Sequence, residues 1–140
     1  MNKLEKAVIR ALKSYGYSVE VRRDTGSNLA WIDPKKKEFV IAARTPVTAR
    51  TQIVLHELAH LMGGHQPVRN KCLKANQELI AERAAAMVAR RLGYDTMSAA
   101  IFYINIQETN RERYCKEKTN LKEETIMLAM ELYEELQQWL

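Results

Sequence analysis

From Lys3 to Tyr15 the apolar positions Leu4, Val8, Ala11, Leu12 and Tyr15 recur at helical spacing and Gly16 closes the run, which predicts an amphipathic first helix. The period then changes to two, with Tyr17, Val19 and Val21 alternating with Ser18, Glu20 and Arg22. Turn residues fill Asp24 to Asn28, and the runs Leu29 to Ile32 and Glu38 to Ala42 flank a corner at Asp33 to Lys37. This pattern predicts a small antiparallel sheet of about three strands. Helical spacing returns from Thr45, with Pro46 at the first helical position, or from Thr48, and continues to Met62 before Gly63-Gly64 stops it. A third helix is expected from Pro67 or Asn70 to Leu92, capped by Gly93. Its five alanines between Ala81 and Ala89 favour helix and let a neighbour approach closely. A fourth helix is expected to start near Thr96 or Ser98. Asn120 with Glu123 three positions later announces a fifth, whose face of Leu121, Leu128, Leu132, Leu136 and Trp139 can pack on the core.

The 140 residues therefore read as a single α+β domain, 1–140, with a small sheet, one polar-interrupted helix and three to four further helices. With 46% hydrophobic and 28% charged residues the chain has the composition of a folded protein and excludes collagen-like or wholly disordered readings. The longest apolar stretches, Ala84 to Ala89 and Ala99 to Ile104, are too short to span a bilayer, and the first residues lack the apolar block of a signal peptide. A cytoplasmic protein with no membrane partner is expected. Cys72 and Cys115 stand alone, with no CxxC, and read as buried or idle thiols rather than a disulfide or a zinc knuckle. The net charge of +5 modestly favours an acidic partner such as nucleic acid. The basic residues are spread out, however, and Lys35-Lys36-Lys37 after Asp33-Pro34 reads as a solvated hairpin tip.

The chemistry concentrates in Ile53-Val54-Leu55-His56-Glu57-Leu58-Ala59-His60-Leu61-Met62. Two histidines four apart on a helix differ by about 40° in azimuth, so both imidazoles point the same way and suit one metal ion. Glu57, about 100° from His56, can stand beside that ion and take a proton from its water. This is the HExxH arrangement of zinc peptidases, which shuffling this composition produces in only about four chains per thousand. Helical backbone offers few free partners, and polar groups on so apolar a helix are costly to bury unpaired. Tetrahedral zinc needs a third protein ligand. On a continued helix His65 would point about 180° away from His56, and the pattern HExxHxxGxxH wants histidine at 66, where this chain has Gln66. His65 thus fits a substrate-side or oxyanion-side group better than a ligand. Glu78 and Glu82 share a face of the alanine-rich third helix, where their repulsion calls for a cation. One can ligate zinc while the other orients a histidine.

The run Thr51-Gln52-Ile53-Val54-Leu55-HELAH-Leu61-Met62-Gly63-Gly64-His65 is similar to the HELGHxxxGH segment of the ImmA/IrrE-like metallopeptidases and of the peptidase domains of ArdC-type antirestriction proteins. Glu78-Leu79-Ile80-Ala81-Glu82 and Leu92-Gly93-Tyr94-Asp95-Thr96 resemble the ExxAE and LGxDT segments of the same group. The resemblance covers roughly Glu38 to Ile104. It implies a minimal gluzincin-like fold and a zinc-dependent endopeptidase with His56, His60 and Glu78 as ligands, Glu57 as general base and Glu82 as support. The alternative register exchanges the two glutamates. It also implies a protein substrate, such as a repressor in a bacterium, phage or other mobile genetic element. The strand Phe39 to Ala43 is expected to receive substrate as an added strand, and His65, Tyr94 and Tyr103 are the candidate oxyanion donors. The competing expectation is a zinc-stabilised DNA- or protein-binding regulator or antirestriction factor without turnover.

Overall fold

The computed structural model describes every residue except Asp24, Thr25, Ser27 and Asn28. The turn expected at Asp24 to Asn28 therefore lies, but for Gly26, outside the described residues. Among the described residues, five helices and three strands follow one another as α1 (Lys3–Ser14), β1 (Ser18–Arg22), β2 (Ala30–Asp33), β3 (Glu38–Ala42), α2 (Val47–Met62), α3 (Lys71–Arg91), α4 (Met97–Tyr114) and α5 (Lys122–Gln137). The α+β class is thus observed.

Local chemistry explains most boundaries. Asn2 and Asn70 cap α1 and α3, their side-chain oxygens accepting from the backbone N–H of Glu5 and Leu73 at 2.8 and 2.9 Å. Asp33 accepts from the N–H groups of Lys35 and Lys36, which folds the exposed lysine tip between β2 and β3. Asn120 is not the cap of α5 that the spacing suggests. Leu121 holds that position, and Asn120 Oδ1 accepts instead from Lys122 N at 2.9 Å.

The sheet departs from the expected one. Its order is β1-β3-β2, with β2 antiparallel to β3 but β1 parallel to it, so the sheet is mixed. Phe39, Val40, Ile41 and Ala42 are all buried, and a strand apolar on both faces belongs in the middle. β3 therefore has neighbours on both sides and cannot take up an added strand. The edges are β1 and β2.

α3 packs against α2, α4 and α5 and is the hub of the helical layer. Its Ala81, Ala84, Ala85, Ala86 and Ala89 are all buried, as their pattern predicts. One cluster of buried side chains runs from Leu4 on α1 to Leu136 on α5, and Leu121, Leu128 and Leu132 join it. α1 is pinned to α2 by the buried Glu5, whose carboxylate accepts from Arg50 Nε at 2.7 Å and Thr51 Oγ1 at 3.3 Å.

Cys72 and Cys115 form a disulfide, against the expectation of idle thiols. Their separation of 43 residues covers two successive helices that pack together, so the chain returns at the end of α4 to where α3 began. Among the described residues no helix is long and apolar enough to cross a membrane.

Candidate metal centre

α2 brings His56 and His60 to the surface it shares with α3, their ring centroids 4.4 Å apart and their planes nearly perpendicular. Facing them, Glu78 of α3 places one oxygen, Oε2, 2.9 Å from His56 Nε2 and 2.9 Å from His60 Nε2. The hydroxyl of Tyr103, from α4, donates to the same oxygen at 3.0 Å. Three groups thus converge on a single carboxylate oxygen, more than its two lone pairs accommodate well. Among the described residues, His56, His60 and Glu78 form the group that can hold a metal, their ligand atoms lying within 4.8 Å of one another. In a tetrahedral zinc site with bonds of about 2.0–2.2 Å, ligand atoms stand about 3.3 Å apart, so the two carboxylate–imidazole contacts of 2.9 Å would need to lengthen only slightly to admit an ion.

Glu82 stands one turn further along α3, behind His56. Its Oε2 is 3.0 Å from His56 Nδ1. That buried nitrogen does not aim its N–H along a good hydrogen-bond direction, so the contact is a close ion pair. The two glutamates that the spacing leaves interchangeable are therefore distinct: Glu78 is at the common point and Glu82 is outside it, on the far nitrogen of a candidate ligand.

His65 is not among the converging atoms. α2 ends at Met62, and Gly64, at φ 66°, turns the chain so that His65 N donates to His60 O at 3.0 Å. This brings the His65 ring back over α2, its Nδ1 2.8 Å from His60 Nδ1. Gly63 is needed for that return, since a Cβ there would lie 2.9 Å from His65 Nε2. Tyr94, the third oxyanion candidate, packs against the hydrophobic core instead.

Glu57 opens onto a cleft of about 510 Å³ that it lines with His60, His65 and Glu78. Leu12, Tyr17, Ile32 and Leu61 add apolar wall. Burial raises the Glu57 carboxyl above its ordinary range against the pull of His56 and His60, the direction that makes a carboxylate a better proton acceptor. Burial, joined by the neighbouring His60, lowers His65 to about 4 and leaves it a neutral ring. Burial and the Glu78 charge raise Tyr103, keeping its hydroxyl protonated as a donor.

Sequence reasoning misses two members of this cluster. Gln52, one turn before His56, is buried and donates through Nε2 to the side chain of Glu82 and, at 3.0 Å, to its carbonyl. Thr96, also buried, donates to Gln52 Oε1 at 2.6 Å. The sequence signals for them are slight: Gln52 lies on the same face of α2 as the two imidazoles, and Thr96 closes the LGxDT-like segment.

Comparison of the chain with protein-family models, with curated proteins and with solved structures finds no match, so the family resemblance stands on the motifs themselves.

Proposed function

We propose that this protein is a zinc-dependent endopeptidase of the ImmA/IrrE-like type. The observation that carries the reading is the convergence of His56 Nε2, His60 Nε2 and Tyr103 on one Glu78 oxygen, beside an open cleft that Glu57 also lines. His56, His60 and Glu78 would hold Zn²⁺, which when bound acidifies water and polarises a carbonyl.

Around that ion the chain's own residues divide the work. Glu57 takes the proton of the attacking water and passes it to the leaving amine, a role suited to its raised pKa. Glu82 and His65 hold the outer nitrogens of His56 and His60 and so fix each ring. Tyr103 offers a neutral hydroxyl to the oxygen that gains charge as the carbonyl is attacked. The substrate is an extended peptide lying along β2, the sheet edge whose Ile32 reaches the cleft together with the adjoining Pro34. A regulatory or repressor protein as substrate follows from the resemblance, and the +5 charge is compatible with meeting such a protein on DNA.

The test compares wild type with Glu57→Gln. Purified variant should retain one zinc per chain and lose cleavage by about 10²-fold or more, a loss in the range expected for a missing general base. Cellular proteins shortened only in the presence of wild type, recovered by mass spectrometry, identify the substrate. A Glu57→Gln chain with wild-type biological effect and no cleavage in either case would instead mark a non-catalytic regulator.

A further inference from the structure

Thr96 occupies the N-cap position of α4, where a threonine hydroxyl ordinarily accepts from the first N–H groups of its helix. Here it makes no such bond. The hydroxyl turns inward and donates to Gln52 Oε1. That contact fixes which end of the Gln52 amide faces which partner: its oxygen is taken by Thr96, so its nitrogen faces Glu82. Glu82 Oε1 is then occupied by Gln52, and Glu82 Oε2 is left for His56 Nδ1. Gln52, Glu82 and Thr96 are each at most 6% exposed, so no water competes for these groups at the protein surface.

We infer that Gln52 and Thr96 are positioning residues of the metal centre, a buried strut from the start of α4 through Gln52 to Glu82 that aims the ring of His56. The inference rests on the metal-centre reading above. The strut ties three helices to one imidazole: α4 supplies the hydroxyl, α2 the amide and the ring, α3 the carboxylate. Without the amide, Glu82 would carry a buried, partly unsatisfied charge and would be free to rotate away from His56. Without the hydroxyl, the amide loses the contact that sets its direction, and the alternative orientation would point its oxygen at the Glu82 carboxylate.

The test uses the full chain loaded with zinc, and with cobalt as a spectroscopic stand-in. Gln52→Leu should weaken zinc binding, measured by chelator competition, by about 10- to 100-fold and shift the visible cobalt spectrum, as expected when a partner behind a ligand is lost. Thr96→Val should move both readouts the same way by less, and Thr96→Ser, which keeps the hydroxyl, should restore them. Circular dichroism establishes that each variant is folded, and if Gln52→Leu is not, the comparison of Thr96→Val with Thr96→Ser decides alone. Wild-type zinc affinity and an unmoved cobalt spectrum in the folded valine or leucine variants would overturn the inference while leaving the metal centre standing. A wild-type chain that takes up no zinc would instead overturn the metal-centre reading, and the inference with it.

Discussion

His60 Nδ1 lies 2.8 Å from His65 Nδ1, so one imidazole of the HExxH helix has another imidazole behind it where the other, His56, has a carboxylate. The two candidate ligands are thereby made unequal. A carboxylate behind His56 increases the basicity of that ring, whereas a neutral His65 only fixes the direction of His60.

Replacing His65 should therefore loosen the centre without abolishing it. His65→Phe, which fills the space but removes the acceptor, is expected to weaken zinc binding about 10-fold, the lower end for such partners. Gly63→Ala should act in the same direction, because its Cβ would displace the His65 ring. Chelator competition on the three proteins checks both, and unchanged affinity in His65→Phe would remove His65 from the centre.

Tyr103 touches the same Glu78 oxygen as both histidines, and its ring centroid is 5.5 Å from that of His56. Tyr103→Phe keeps the ring and deletes the donor. On a peptide that wild type cleaves, kcat should fall by about 10²-fold, the scale for losing an oxyanion donor, with zinc content unchanged. An effect on KM alone would assign Tyr103 to substrate binding and leave the oxyanion to another group.

What is legible in the sequence is what periodicity carries. Polar residues at positions 56, 57 and 60 interrupt the apolar stretch Ile53–Met62, and 78 and 82 repeat at one helical turn, so spacing picks out the candidate ligands and the glutamates around them. Which glutamate meets which nitrogen depends on the rotation of α3 against α2, and spacing within one helix carries no such information. The period of two in Tyr17 to Arg22 likewise reports faces but not neighbours, so the parallel pairing of β1 with β3 is hidden. The uninterrupted apolar run Phe39-Val40-Ile41-Ala42 is the one hint that β3 is central. Gln52 and Thr96 look ordinary alone, since their role exists only across 44 residues of chain.

The Cys72–Cys115 bond closes a loop with a separation of 43 residues around α3 and α4. By chain entropy a loop of that size stabilises the fold by about 4 kcal/mol. The double variant Cys72→Ser/Cys115→Ser should accordingly unfold at a clearly lower urea concentration, by up to that free energy. Glu78 and Tyr103 sit well inside the helices whose ends the bond ties, so zinc affinity at low denaturant should stay close to wild type. Equal urea midpoints for the variant and the oxidised wild type would show that the bond contributes nothing to the stability of the fold.

Without a metal, a proton takes the place that the proposed cation would hold. Burial alone would lower the pKa of His56, but the hydrogen bond to Glu78 and the close Glu82 carboxylate outweigh it and push the value up to about 10. Glu78 shows the converse: burial would raise it, and its bonds to His56 and His60 hold it well below the ordinary carboxylate range. The His56 value lies above its ordinary 6.5, so its contribution to stability is complete below that pH and lost as pH rises through about 10. The Glu78 value lies below its ordinary 4.5, so its contribution is present above that pH and lost on acidification. The metal-free protein should thus gain most from this pair between pH 4.5 and 6.5. Zinc must displace the His56 proton, so binding at pH 8 should release about one proton per ion, and affinity should rise with pH up to about 10. Titration calorimetry in two buffers of different ionisation enthalpy measures that proton. A binding enthalpy independent of buffer would mean that the ion does not bind at His56 Nε2.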